Sequence, residues 1–187
     1  MSSALRIPRI DEAGALVREL LAGLPQRLAH TLKVGETAAV VADRAALRPR
    51  TAELATVAAY LHDIGYSPEL RDSGFHPIDG ARYLRAEGWT DIVPYVAHHS
   101  QAGLQARLLG LDMAEFAAIR GFVQDIVDYA DVRTGPKGER LTPDERLAEI
   151  LQRHAGDTSA QVVGRRRPVI ARLVRRVERR CGGDPLR

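Results

Sequence analysis

Residues 60–85 read YLHDIGYSPELRDSGFHPIDGARYLR, the segment with the strongest structural and chemical signal in the chain. An apolar run over residues 54–61 leads into the adjacent pair His62-Asp63, so we expect the pair at the C-terminal end of a buried helix. Neighbouring side chains on a helix diverge by about 100°, yet a short Asp and a longer His can still converge on one metal ion. Gly65 is expected to end this helix, because glycine readily adopts a positive φ.

The second half of this segment predicts another helix. His76 precedes Pro77, which suits the first position of a helix. The ring of His76 is therefore expected near the helix start, directed back towards the preceding loop. Asp79 follows within the same turn, and two roles stay open for it. It either accepts a proton from a ligand imidazole or stabilises the first helical turn through the helix dipole.

Histidines are concentrated in one part of the chain. Five of the six lie within seventy residues, and each is at or near a predicted helix: His30, His62, His76, His98 and His99. A single histidine on an apolar helix face is more often a hydrogen-bonded core residue than a ligand. Here the histidines are accompanied by Asp131, which stands near the end of a predicted apolar helix over residues 116–130.

The order His, His-Asp, Asp resembles the signature of the HD superfamily of metal-dependent phosphohydrolases, carried here by His30, His62-Asp63 and Asp131. Residues 61–85 and the segment YADVRTGPKGERLTPDERLAEI at 129–150 also resemble small stand-alone bacterial HD proteins. The likeness covers roughly residues 26–156. It implies an all-α fold, an HD-domain helical bundle with a metal site between its helices.

The resemblance also implies a ligand set. We expect His30, His62, Asp63 and Asp131 to hold a divalent transition metal (Fe, Mn, Co, Ni or Zn), since imidazole favours these ions. Metal-activated water would then hydrolyse a small phosphoester or nucleotide. His76 and one of His98 and His99 exceed what one ion needs, so two ions bridged by Asp63 are expected. The alternative is one ion, with the extra histidines hydrogen-bonding the substrate.

Three residues are expected to take part in catalysis besides holding metal. Asp63 is the central one. Lys33 lies three residues after His30 on nearly the same helix face, and can contact a substrate phosphate. His98 and His99 are adjacent and face different directions, so one coordinates and the other can act as general acid. His99 is the slightly better match for the ligand, which leaves His98 as the acid.

Composition bounds the class of protein. A chain of 187 residues fits a single domain, with a helix over residues 10–22 and an Arg-rich C-terminal helix as extensions of the HD core. One cysteine excludes an internal disulfide framework. Neither a signal peptide nor a long uncharged apolar run is evident, which favours a cytoplasmic protein without a membrane partner. Gly-rich phosphate loops and paired CxxC motifs do not occur.

The C-terminal part of the chain is strongly basic. Residues 165–180 contain eight Arg and one Glu, although the net charge of the whole chain is only +3. Such a helix can bind nucleic acid. Alternatively it docks through its apolar side and leaves a solvated Arg face. We expect a bend or break at Pro168 and a disordered GGDPLR terminus.

The loop after Asp131 can overhang the site with its cations, although solvated loop charges are the commoner outcome. It contains Arg133, Lys137 and Arg140, which can face a substrate or remain solvated. Thr142 and Glu145 then predict a helix that begins with a capping box. An HD-type di-iron oxygenase has a similar ligand set, so this activity and nucleic-acid binding are the alternatives to phosphoester hydrolysis.

Overall fold

A computed structural model describes residues 6–187 as α-helices joined by short loops and 3-10 turns. The helices are α1 (Ile10–Leu20), α2 (Pro25–Arg44), α3 (Pro49–Leu61), α4 (His76–Ala86), α5 (Val93–His98), α6 (Ala102–Leu108), α7 (Phe122–Val132), α8 (Pro143–Arg153) and α9 (Thr158–Cys181). Over residues 6–187 the β pairing is limited to one bridge between Thr134 and Arg140. The predicted all-α fold is confirmed.

Prolines and caps set the helix starts. Pro25, Pro49 and Pro143 each stand in the first turn of a helix, where no backbone N–H donor is needed. The predicted capping box of α8 is present. Thr142 Oγ1 accepts the N–H of Glu145 at 3.2 Å, and the Glu145 carboxylate accepts the N–H of Thr142 at 2.7 Å.

Helices α2, α3 and α7 pack against one another and form the centre of the core, while α9 covers α7 and α8. Helix α1 contributes the fully buried Val17 and Leu21 beside it. The predicted α1 stripe is wrong at Ile10, which is 42% exposed at the very start of the helix.

Gly65 has a different role from the one predicted. Helix α3 already ends at Leu61, and Gly65 lies in a 3-10 turn over Ile64–Tyr66 without a positive φ. A Cβ at Gly65 would clash with the backbone oxygen of His76. Glycine is therefore needed because the start of α4 approaches this backbone closely, and that approach brings His76 towards the end of α3.

The expected break at Pro168 and the expected disorder of the C-terminus are wrong. Helix α9 continues through Pro168, with Val163 and Ile170 buried on either side of the proline. A proline inside a helix costs about 3 kcal/mol, and this burial offsets it. The terminal GGDPLR segment is ordered, because Asp184 accepts hydrogen bonds from Tyr129 and Arg133.

Among residues 6–187 there is no helix with the length and apolar character needed to cross a membrane. The expectation of no signal peptide falls partly on residues 1–5, which lie outside the described part of the chain.

Candidate metal centre

Four imidazoles from four parts of the fold surround the carboxylate of Asp63, which is only 2% exposed. Their Nε2 atoms lie 3.7 Å (His30) and 3.3 Å (His62) from Asp63 Oδ2. On the other oxygen, Oδ1, the distances are 3.3 Å (His76) and 3.5 Å (His99). The His-Asp pair thus stands where α2, α4 and the end of α5 meet the end of α3.

The cluster divides into two groups that share Asp63. His30, His62 and Asp63 each offer one ligand atom, and these atoms lie within 4.8 Å of one another. The same holds for Asp63, His76 and His99. Since each carboxylate oxygen of Asp63 faces a different pair of imidazoles, Asp63 is positioned to bridge two cations.

Backbone carbonyls fix the orientation of three rings. The Nδ1 atoms of His30, His62 and His99 lie 3.1, 2.7 and 2.6 Å from the carbonyl oxygens of Gly135, Ala59 and Val96, respectively. Because a carbonyl oxygen can only accept, each Nδ1 carries the proton and donates. Each Nε2 lone pair is therefore turned towards Asp63, the arrangement expected of metal-ligating histidines.

Two of the four inward-facing nitrogens lack partners among residues 6–187, whereas Nε2 of His76 and Nε2 of His99 lie 3.2 Å apart. Nε2 of His30 and Nε2 of His62 are buried without a hydrogen bond to any described residue, and both face carboxylate oxygens. Burial lowers the pKa of the His30 ring and lowers the pKa of His76 to about 4, so both are neutral at pH 7. A ring-nitrogen lone pair that faces a carboxylate oxygen is an acceptor facing an acceptor, and a cation between the two relieves this repulsion. These residues therefore fit a metal ion.

His62 is the exception among the rings. Burial opposes its charged form, but the neighbouring Asp63 raises the pKa of His62 above its ordinary value. Asp63 shows the reverse: burial would raise its pKa, yet His62 and Arg27 hold the pKa of Asp63 well below the usual range. Asp63 is thus ionised at neutral pH, and a proton on His62 would compete with a metal ion.

Asp131, at the end of α7, lies on the His30 side of the cluster. Its Oδ1 is 3.2 Å from His30 Nε2, and its Oδ2 accepts the hydroxyl of Ser100. Burial opposes ionisation of Asp131, but the contact with His30 and the nearby Arg146 keep the pKa of Asp131 well below its usual range. The four residues of the His, His-Asp, Asp order are therefore gathered in one buried place.

A family model of the HD domain matches residues 27–180, more than four fifths of the chain. The chain belongs to the HD-domain family. The HD match extends past the resemblance over residues 26–156 and includes the Arg-rich helix α9. No curated protein and no solved structure matches the chain significantly.

The HD family belongs to a superfamily of metal-dependent hydrolases, and HD domains bind divalent metals. In this HD protein, the His/Asp cluster is the set of residues with the donor chemistry for such an ion. The cluster is therefore the candidate site for a divalent metal ion.

Two residues expected at the HD site lie elsewhere. His98 Nε2 is 3.2 Å from the carbonyl oxygen of Phe116, because the turn after α5 sends His99, and not His98, to the cluster. Lys33 pairs with Glu36 at 3.0 Å, and its side chain is 49% exposed on the outer face of α2. A spacing of three residues from His30 was too weak a guide, since it leaves the direction of a long side chain open.

Asp79 contacts none of the imidazoles. Its carboxylate accepts the backbone N–H groups of Ser73 and Gly74 at 2.8 and 3.2 Å, so it fixes the loop before α4. The loop after Asp131 does not overhang the HD site with its cations either. Arg133 and Arg140 both pair with Asp184, and Lys137 is exposed.

Ser100 is a site residue that the sequence analysis missed. Ser100 and Gln101 have φ values of +48° and +53°, a left-handed conformation that costs on the order of 1 kcal/mol or more per non-glycine residue. This turn lets the Ser100 hydroxyl reach Asp131, while its N–H donates to Asp128 at 2.7 Å. No residue type in the segment signals such a turn, because the position is occupied by serine rather than glycine.

A cleft opens beside the HD site, with about 530 Å³ of empty space including its open mouth. Asp63, His76, His99 and Asp131 form one part of its lining, and four arginines also line it: Arg27, Arg146, Arg153 and Arg166. These arginines come from α2, α8 and α9, and none of them was predicted as a site residue from the sequence.

Arg27 connects the cleft to the cluster. Its Nη1 donates to Asp63 Oδ2 at 2.5 Å, and its guanidinium lies 4.0 Å from the centre of the Tyr66 ring. Tyr66 in turn stacks on His76 with the ring centres 3.9 Å apart. Arg27, Tyr66 and His76 therefore form a layered wall at the entrance to Asp63.

Proposed function

We propose that this HD protein is a metal-dependent phosphohydrolase that hydrolyses a small phosphoester or nucleotide. The observation that carries the proposal is a buried set of ring nitrogens without hydrogen-bond partners, directly beside a cleft lined by four arginines. The first feature suits a divalent transition metal. The second suits phosphate oxygens, which guanidinium groups recognise with paired N–H donors.

His30, His62 and Asp63, with Asp131 beside them, would hold one ion, and Asp63, His76 and His99 a second. When bound, a divalent metal lowers the pKa of water towards neutrality and neutralises phosphoryl oxygens. Carbonyl-bound Nδ1–H groups keep the Nε2 lone pairs of His30, His62 and His99 directed inward. The Ser100 hydroxyl holds the Asp131 carboxylate in place.

Arg27 and Arg146 are the residues best placed to bind the reacting phosphate. Arg27 contacts Asp63, and Arg146 Nη2 lies 3.6 Å from Asp131 Oδ1. A guanidinium carries five N–H donors, so each arginine retains donors for a substrate oxygen. The Tyr66–His76 stack shields this side of the centre from water.

The test is a turnover screen of purified protein loaded with Mn, Co, Ni or Fe. Phosphomonoesters, cyclic nucleotides and nucleoside triphosphates are the substrates, and metal content is measured on the same sample. We expect metal-dependent phosphate release from at least one class. Metal-loaded protein that turns over none of them would overturn the proposal, and substrate-dependent oxygen uptake would replace it with an oxygenase.

The second ion is tested by elemental analysis of the same preparations. We expect about two ions per chain in the wild type and about one in His76→Ala, because that change removes one of the two imidazoles of the second group. His98→Ala is the matched control, since His98 lies outside the cluster. A wild type that saturates at one ion would contradict the two-ion arrangement.

A further inference from the structure

Arg166 is a buried arginine that has no carboxylate partner among the described residues. It lies on the buried side of α9 and is only 9% exposed. Its one polar contact is with Gln105 Oε1 at 3.4 Å, near the limit of a hydrogen bond. Its Nε is buried and has no hydrogen-bond partner in the part of the chain that the structure describes. The positive charge is therefore not paired directly with any carboxylate of residues 6–187.

The other arginines of the cleft differ from Arg166 in this respect. Arg27 pairs with Asp63 at 2.5 Å and Arg153 with Glu149 at 2.6 Å. Arg146 lies 3.6 Å from Asp131. Burial lowers the pKa of Arg166, which the more distant Asp131 and Asp128 only partly oppose. Guanidinium nevertheless stays protonated in proteins.

The surroundings of Arg166 consist of hydrogen-bonding groups oriented by one another. Gln105 Nε2 donates to Thr158 Oγ1 at 2.9 Å and to Ser159 Oγ at 3.1 Å, which turns Gln105 Oε1 towards Arg166. Because both hydroxyl oxygens accept from Gln105, their O–H groups can donate elsewhere. Gln105, Ser159 and Arg166 all line the cleft that also contains Asp63 and Asp131.

We propose that Arg166 binds a second anionic group of the substrate, a phosphate or a carboxylate separate from the phosphate that reacts at the HD centre. An unpaired buried cation is costly to keep, and an anionic ligand supplies its missing partner. The substrate class is then an organic phosphate with two anionic groups. This inference rests on the proposed function for the position of the reacting phosphate.

The binding test uses phosphonates, which the enzyme cannot hydrolyse. Chains of two to four carbons that carry a phosphonate at one end and a methyl, carboxylate or phosphonate at the other are titrated by calorimetry into metal-loaded protein. Metal content is checked after each titration. We expect at least one compound with a second anionic group to bind about tenfold more tightly than its methyl counterpart, and the carboxylate and phosphonate series identify the preferred group.

Arg166→Gln should reduce this preference to about twofold or less. Arg167→Gln is the matched control, because Arg167 is the next residue on α9 but is exposed and pairs with the exposed Asp144. The control should keep the wild-type preference. Equal binding of both kinds of phosphonate by the wild type, or a preference that survives Arg166→Gln, would overturn the inference.

A purely structural role for Arg166 predicts a different result in thermal unfolding. Removing an unpaired buried charge should leave the melting temperature of the ligand-free variant at or above that of the wild type. The two-anion phosphonate should raise the melting temperature of the wild type more than that of the variant. A variant with a clearly lower melting temperature and an unchanged phosphonate preference would assign Arg166 to the framework.

Failure of this inference and failure of the proposed function can be told apart. If no phosphoester is hydrolysed but phosphonate preference depends on Arg166, the second anion site stands and the hydrolase proposal falls. If hydrolysis proceeds while wild type and Arg166→Gln show the same preference for two-anion compounds, the hydrolase proposal stands and the second anion site falls.

Discussion

Arg133 and Arg166 are buried to a similar extent, 6% and 9% exposed, but their surroundings differ. Arg133 donates through Nε to the Leu141 carbonyl at 2.9 Å, through Nη1 to the Tyr129 hydroxyl at 3.0 Å, and through Nη2 to Asp184 at 3.0 Å. Arg166 has one long contact to an amide oxygen. Arg133 links the C-terminus to α7, whereas Arg166 is placed to bind an anionic ligand.

The same contrast separates the two regions to which these arginines belong. We call Tyr129, Arg133 and Asp184 the C-terminal clamp. In the clamp the charged groups are paired, which is how buried charges usually contribute to a fold. In the HD site, Nε2 of His30 and of His62 are unpaired. Unsatisfied buried groups lower stability, so these ring nitrogens fit a binding role better than a structural one.

The largest effect is expected at the centre of the HD site. Asp63→Ala removes the carboxylate shared by both imidazole groups, so we expect activity to fall on the order of 100-fold or more. Helical content measured by circular dichroism should be nearly unchanged. Asp72→Ala is the control, because its side chain is 74% exposed and pairs only with the surface Arg82. Activity of Asp63→Ala above a tenth of wild type would contradict the role of Asp63.

Breaking the C-terminal clamp should lower the stability of the fold. Asp184→Ala leaves the buried Arg133 with only the more distant carboxylate of Glu178, 3.9 Å away, and we expect the free energy of unfolding to fall by up to about 3 kcal/mol. Urea denaturation measures it. Asp144→Ala breaks an ion pair whose side chains are 80% and 55% exposed, and it should change stability by less than about 1 kcal/mol. If the two substitutions lowered the free energy of unfolding equally, the clamp would contribute no more to stability than an exposed ion pair.

A smaller, pH-dependent effect is expected at Asp128, which lies between the two regions on α7. Burial raises its pKa from 3.8 to about 6, although the Ser100 N–H and Gln124 oppose the shift. Because the folded-state pKa is the higher one, Asp128 stabilises the fold below pH 4. That contribution is lost as the pH rises from about 4 to about 6.

Asp128→Asn should therefore gain stability over the wild type across this interval, and the gain should reach about 3 kcal/mol above pH 6. The Asn amide can be accommodated, since Gln101 Oε1 is buried without a partner and a turn of the Gln101 amide would let it accept. Unfolding of metal-free protein at several pH values tests the prediction. Comparing the variant with the wild type cancels the titration of His62. A difference that does not vary with pH would contradict the raised pKa.

Features that depend on neighbouring residues could be predicted from the sequence, whereas features that depend on distant residues could not. Helix starts at Pro25, Pro49 and Pro143 were predictable, because proline and capping act within a few residues. The histidines and Asp63 were found because a metal site needs particular residue types in a particular order. Arg166 was not predicted as a site residue, because an arginine on an amphipathic helix is expected to be solvated. Only the tertiary structure shows that it lies in a cleft.

Long-range pairing accounts for the other errors. The partner of Asp184 is Arg133, 51 positions earlier, and no local pattern links the GGDPLR segment to α7. The left-handed turn at Ser100 is likewise imposed by contacts with Asp128 and Asp131 on another helix. Local signals predict the helices and the candidate metal ligands, whereas tertiary contacts bring the arginines of the cleft together.

The smallest effect on stability and activity is expected from substitutions on the outer face of α9. These substitutions compare the exposed arginines with the buried Arg166 on the same helix. Arg172, Arg175 and Arg179 are exposed. Changing all three to Gln should alter the free energy of unfolding by less than about 1 kcal/mol and leave phosphoester turnover unchanged. Point substitutions are needed, because deleting residues 165–187 would remove the buried Leu173 and Val177.

The same triple variant tests nucleic-acid binding by α9. If this face binds a phosphate backbone, duplex DNA binding by the wild type will weaken steeply with salt, and removing three contacts will reduce the slope of log K against log salt by about 2.7. We expect instead that a gel shift detects no duplex binding by either protein near 150 mM salt, where surface charges are screened beyond about 8 Å. Arg133 of the clamp would then have a structural role, and the exposed arginines of α9 would be solvated surface residues. Neither group contains a buried charge without a partner. Binding by the wild type that the variant loses would give this outer face a function and would remove burial as the criterion that singles out Arg166.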